Sequence, residues 1–236
     1  MLPHWAAGNR FEITALQVLT FSTGVADAVG YLALDKVFTG NMTGNVVILG
    51  MGVAGADDLP VVGALIALLA FVVGAAIGGR ALRGAPTGWT PRCTALLVPV
   101  ALAFAAAAVM LAVVPVTVGT VEAFSITAVL AAAMGLQAAV ARKIGIRDLT
   151  TVVVTSTLAG LAADSRLAGR VDQPWLRRAG AVGLIATGAL VGALLIGLQV
   201  WAGVAVPAIL TALVAAAAWH VLRVRAAHEG SVVATR

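Results

Sequence analysis

Apolar runs of about 20 residues recur along the chain, each closed by short polar or charged punctuation. They cover roughly residues 13–34, 59–79, 93–114, 121–141, 179–200 and 203–222. At 1.5 Å per residue, a helix of that length crosses a hydrocarbon layer of about 30 Å. Two further apolar segments, 41–55 and 149–163, are near 15 residues, or about 22 Å as helices, which is short for a span. Both are introduced by polar sequence. The first opens on two Thr-Gly-Asn triplets, Thr39-Gly40-Asn41 and Thr43-Gly44-Asn45, and the second reads TTVVVTSTLAGLAA from Thr150 to Ala163. Irregular polar sequence at membrane depth faces protein or a water-filled cavity, because its backbone groups need partners. The pattern predicts an all-α membrane protein with six transmembrane helices plus two short re-entrant half-helices.

Composition agrees with that class and removes others. The 236 residues are 61% hydrophobic and 11% charged, with 26 glycines. A soluble domain of this size needs a far more charged surface. The net charge of +5 does not point to nucleic acid, because the basic residues sit at helix ends and in loops. Cys93 is the single cysteine, which excludes an intrachain disulfide or a thiolate metal site. His4, His220 and His228 show no ligand spacing, and no nucleophile–base pair, Walker loop or dinucleotide fingerprint is present. Neither a metal, a cofactor nor an enzymatic activity is expected. Residues 1–12 lack the features of a cleaved signal peptide and are read as a cytoplasmic segment before a retained first span. Residues 226–236 read as a disordered tail.

The chain also reads as two repeats, 13–115 and 116–225. Asp27-Ala28 aligns with Gln137-Ala138, Thr43-Gly44-Asn45 with Thr155-Ser156-Thr157, and Thr39 with Thr151. Gly74 and Gly78 align with Gly188 and Gly192, and Pro99 with Pro207. Basic residues then decide topology. Eight crossings would divide the 15 Lys and Arg residues 7 against 8. Six spans with two re-entrant segments leave only Lys36 outside, as the positive-inside rule favours. That arrangement puts both termini in the cytoplasm and makes the repeats inverted.

Opposed half-helices end their hydrogen bonding inside the membrane, which leaves N–H groups and partial positive charge at each N-terminus. The residues there are Thr39, Gly40, Asn41, Thr43, Gly44 and Asn45 in one copy, and Thr150, Thr151, Thr155, Ser156 and Thr157 in the other. Such tips suit a small polar or anionic solute. The competing reading has the same residues capping and gluing helices. Arg147 and Asp148 read as an interfacial anchor and an N-cap. Asp27 lies about four turns into the first span, where a carboxylate is costly unless paired, hydrated or protonated. It reads either as a proton or cation coupling site, asymmetric with neutral Gln137, or as a residue near the outer end of its helix that is wet or bonded to a neighbour's backbone. The GxxxG pairs read as close helix packing, and the two prolines as kinks.

The run Asp27-Ala-Val-Gly-Tyr-Leu-Ala-Leu, followed by Val37-Phe-Thr-Gly-Asn-Met-Thr-Gly-Asn45, resembles the YoaK-like family of bacterial membrane proteins of unknown function. Met134-Gly-Leu-Gln-Ala138 and the Thr-rich copy resemble that family's second half. Two positions depart from it. Ser156 stands where glycine is usual in the second triplet, and Ala138 where Asn is common. The resemblance implies a bacterial inner-membrane protein loosely labelled a permease, and supplies no substrate. Together these readings predict a transporter or channel for a small solute, embedded in the lipid bilayer and without a nucleic-acid partner. A homo-oligomer, most simply a dimer, fits the class. The alternative is a non-transporting scaffold or sensor in which the Thr/Gly/Asn residues only pack.

Overall fold

The computed structural model describes residues 10–146, 154–165 and 175–234. Among them are eight helices and no strand: α1 (Arg10–Ala33), α2 (Met42–Val53), α3 (Val61–Ala81), α4 (Pro91–Val113), α5 (Val121–Ile144), α6 (Val154–Ala163), α7 (Trp175–Leu198) and α8 (Val200–Ala234). Six are long and apolar enough to cross a membrane, and α2 and α6 are the two short ones. Local chemistry sets several boundaries. Thr90 and Thr120 cap α4 and α5 by accepting the N–H groups of Cys93 and Ala123, and Gly145 ends α5 in a left-handed conformation. Pro99 and Pro207 lie inside α4 and α8, which pack against each other. The tail expected to be disordered continues α8 to Ala234, since no proline interrupts the run that follows Arg225.

α1 and α5 are the most enclosed spans, and they are also the two least hydropathic. Lipid asks for an apolar surface; protein neighbours do not. The helix pairings fall into matched sets: α1·α7 with α3·α5, α1·α8 with α4·α5, and α2·α3 with α6·α7. Two glycine crossings explain the first set. A methyl on Gly24 would overlap the Ile185 carbonyl of α7, and one on Gly188 would overlap the Phe21 carbonyl of α1. A methyl on Gly74 would likewise overlap Ala132 of α5, and one on Gly135 would overlap Phe71 of α3. In each crossing the backbones touch where side chains would otherwise hold them apart, as small residues allow in membranes.

The segment between α1 and α3 turns inward. Lys36 adopts a positive φ of 53°, and the chain then runs back along α1. Gly30 makes room for this return, because a Cβ there would lie 2.6 Å from the Val37 carbonyl. α2 therefore starts level with Asp27, six residues, or about 9 Å, inside the end of α1. Its far end comes back to α3, where Gly52 packs on Val61. Asp35, buried at the end of α1, closes that end of the bundle. One oxygen accepts the Gly119 N–H at 3.0 Å, the other accepts the Thr127 hydroxyl at 3.1 Å, and its Cβ faces Gly63.

The crossings give a direct test. Gly24→Ala and Gly135→Ala should each destabilise the detergent-solubilised protein by about 1–3 kcal/mol in thermal unfolding, the usual range for overpacking. Gly79, also on α3, has open space beyond its Cα. Gly79→Ala should be neutral or stabilising by up to about 1 kcal/mol through helix propensity. Equal effects at the three positions would contradict the backbone contact.

Candidate functional site

The first Thr-Gly-Asn triplet wraps the Asp27 carboxylate. Oδ1 accepts the Gly40 N–H at 2.6 Å, the Thr39 hydroxyl at 3.3 Å and the Asn41 N–H at 3.4 Å. These are donors of the loop that leads directly into α2, where charge of this sign is favoured. Gly40 fits between Met134, Thr23 and Asp27, and a Cβ there would lie 3.0 Å from the Met134 methyl. Asn41 caps α2, its Oδ1 accepting from Gly44 N–H at 3.4 Å. The anion at the tip of this short helix is thus the chain's own Asp27. Its other oxygen, Oδ2, accepts no hydrogen bond among the described residues.

The second triplet holds an aromatic ring. Asn45 is fully buried, and both ends of its amide engage the backbone of Phe38. Oδ1 accepts Phe38 N–H at 2.9 Å, and Nδ2 donates to the Phe38 carbonyl at 2.7 Å. The Phe38 ring lies on Gly44, where a Cβ would come within 2.7 Å of it, and stacks on Tyr31 at 5.2 Å between centroids. Asn45 and Gly44, expected to face a solute, position Phe38 instead. Thr43 is exposed, and its side chain makes no hydrogen bond among the described residues.

Gln137 is buried beside this site. Its Nε2 donates to the Leu19 carbonyl at 3.4 Å and to Thr23 Oγ1 at 3.3 Å, while Oε1 lacks a partner among the described residues. The hydroxyls of Ser22 on α1 and Thr211 on α8 are buried and likewise unpartnered. Sequence reasoning passed over Ser22, Thr23 and Thr211; their signal was polarity within otherwise apolar spans. The glycine crossings also shift the register between the halves. Gly192 faces Ala28 as Gly78 faces Ala139, so the counterpart of Asp27 is Ala138, one residue beyond Gln137.

Only part of the second polar copy lies among the described residues. Thr151 lies outside the described residues, as do Thr150, Arg147 and Asp148. Thr155 and Ser156 are exposed on α6, and Thr157 is buried. α6 packs on α7 while α2 packs on α3, and α2 with α6 is not one of the helix pairs sharing an extended interface. α6 is anchored by Arg178, a buried residue of the first turns of α7. Its Nη1 donates to the Gly160 carbonyl at 2.7 Å and pairs with Asp164 at 2.9 Å.

A groove of about 400 Å³ opens between α1 and α7 beside the α2 tip. Asp27 and Asn41 line it, with Tyr31 and Phe38 as an aromatic wall and Ile185, Ala189 and Ala193 on the α7 side. Among the described residues no three His, Cys, Asp or Glu side chains cluster as a metal site would require. The arrangement can receive a molecule against one uncommitted carboxylate oxygen and aromatic carbon.

The comparisons with known proteins locate the chain without assigning a solute. Residues 15–217 match the family model described as a protein of unknown function, DUF1275. The chain is 32% identical over 165 residues to the UPF0700 transmembrane protein YoaK of Bacillus subtilis (strain 168), an alignment covering 68% of this chain and 69% of that protein. No solved structure matches.

The role of Asn45 can be read from stability alone. Asn45→Ala leaves the N–H and carbonyl of Phe38 unpaired and should lower unfolding stability in detergent by about 1–3 kcal/mol, the cost of orphaned buried polar groups. Thr43→Val should stay within about 0.5 kcal/mol, as for substitutions outside any bonded feature. A stable Asn45→Ala protein would show that the amide does not hold the loop.

Proposed function

The chain belongs to the DUF1275 family of proteins of unknown function, with a transmembrane relative, and from that premise we propose a membrane transport protein for a small polar solute. The observation that carries this reading is Asp27. It is a carboxylate within a spanning helix that lines a groove, with one oxygen held by three chain donors and no hydrogen bond to the other among the described residues. A charge at that depth is costly, and intramembrane ionisable residues commonly mark solute or ion paths. A scaffold needs packing alone, and Asn45 and Gly44 would serve it; an acceptor left open beside a groove adds nothing to packing.

In this reading the solute meets Asp27 and the α2 tip, not two opposed tips. An anionic solute is disfavoured there, because Asp27 already occupies the helix N-terminus and would repel it. The segment 34–60 is re-entrant and α6 is its inverted counterpart; the inward run of the loop and the matched helix pairings support both. The excess of basic residues on one side supports cytoplasmic termini in a bacterial inner membrane. Glycine-to-backbone crossings between the halves supply surfaces that can slide when access alternates between the two sides.

Topology is tested by labelling. With Cys93→Ala as background, single cysteines at Asp57 and Ala168 should react from opposite sides of the membrane. Eight crossings would put both on one side, and that result would remove the re-entrant segments. Transport is tested in proteoliposomes given a panel of polyols, amino acids, short carboxylates and alkylamines. At least one solute should enter faster than into protein-free liposomes, and Asp27→Asn should slow it tenfold or more. Entry at the protein-free rate for every solute, or an unaffected Asp27→Asn protein, overturns the proposal.

A further inference from the structure

The groove beside Asp27 has a selective chemistry, from which we infer that it takes a small organic cation: an ammonium group carrying a short apolar body. The inference deepens the transport reading and rests on it for treating the groove as the solute site. Charge comes first. Asp27 brings a carboxylate oxygen with no hydrogen bond among the described residues, and the nearest basic residue along the chain is the exposed Lys36, at the turn before Phe38. α1 has no Lys or Arg after Arg10, α2 has none, and α7 has none after Arg178. Asp35 and Glu12, the other acids of the α1 region, bond to Gly119 and Thr127 and to Trp89 respectively.

The aromatic wall comes second. Tyr31 and Phe38 stack with 24° between their planes and line the same groove as the carboxylate. Ring faces attract cations, and carboxylate with aromatic carbon is the usual recipe for an ammonium. Phe38 is not free to turn away, since Asn45 holds its backbone and Gly44 seats its ring. The two triplets thus divide the work: the first fixes the carboxylate, the second the aromatic.

Other solute classes fit poorly. A bare metal ion wants several oxygens, and here Asn41 Oδ1 already accepts from Gly44. A sugar-like solute wants many hydrogen-bonding partners, whereas the α7 wall is Ile185, Ala189 and Ala193. The volume of about 400 Å³ lies within the range of small-molecule sites. Because Tyr31 and Leu32 at its edge are exposed on the outside of the bundle, the ammonium can belong to a free amine or to a lipid headgroup.

The test uses the full chain purified in maltoside detergent, with n-butylammonium, butyrate and sodium as calorimetric probes. Butylammonium should bind saturably and butyrate should not. Asp27→Asn should weaken binding tenfold or more, and Phe38→Leu at least threefold. Ala193→Phe should abolish binding by filling the groove while leaving the carboxylate in place, which covers the case of an Asp27 variant that does not fold. In nanodiscs of phosphatidylglycerol, added phosphatidylethanolamine should compete if the headgroup is the source and leave binding unchanged if a free amine is. Both results require an ammonium site. Butyrate binding as tightly as butylammonium, sodium competing at equal concentration, or indifference to both Asp27→Asn and Ala193→Phe overturns the inference. Asp27-dependent entry of a non-cationic solute, with butylammonium ignored, would leave transport standing and remove the cation. Butylammonium binding without entry of any solute would do the reverse.

Discussion

A carboxylate held inside a membrane bundle by backbone N–H groups is the constraint around which the first half is built. Isolated in hydrocarbon, an ionised carboxylate is strongly penalised. Asp27 avoids that by sitting where the chain entering α2 points its donors. Meeting this need dictates much else: a helix that begins inside the bundle, a loop that runs back along α1, and glycines at 30 and 40 where the loop passes close to neighbours. Without the carboxylate, those inward-facing donors would be orphans. Without the donors, Asp27 would be an uncompensated charge.

Among the described residues, the second half shares helix pairings with the first but holds no carboxylate at the matching place. Its helix pairings and glycine crossings mirror those of the first half, yet Ala138 occupies the place of Asp27. The short helices are also fastened differently. α2 lies on α3 through apolar contacts in which Val37, Ala64 and Ala67 are buried, with Ile48 and Leu49 packed against them. α6 is pinned to α7 by a partly buried ion pair, Arg178 with Asp164, and by a hydrogen bond to Gly160. A buried pair of this kind adds specificity of position more than net stability. One half carries a polar site and the other a fixed anchor.

Helix number and type were legible in the sequence because hydrophobic run length and lipid thickness are the same physical quantity. The short helices were legible because their apolar runs are too brief to cross. What the polar residues touch was not. The sequence displays the donors and acceptors of Asn45, but nothing in it says that both face Phe38, seven residues back. Arg178 counts as a loop charge in a topology argument, although it is buried against Gly160. The one-residue shift that pairs Asp27 with Ala138 was hidden for a similar reason. Sequence similarity favoured two polar side chains, while the real register is set by which glycines let two backbones meet.

The glycine crossings join each half to the other, and this bears on biosynthesis. α3 waits for α5, and α1 for α7. At ribosomal rates of roughly 5–20 residues per second, α7 follows α1 by about 8–33 seconds. During that interval the narrow glycine face of α1, with Asp27 one turn away, sits in the translocon or bilayer without its partner. Nascent first halves therefore need lipid or an insertase to shelter that face, and truncation after α4 would leave two seams open instead of producing a smaller folded protein.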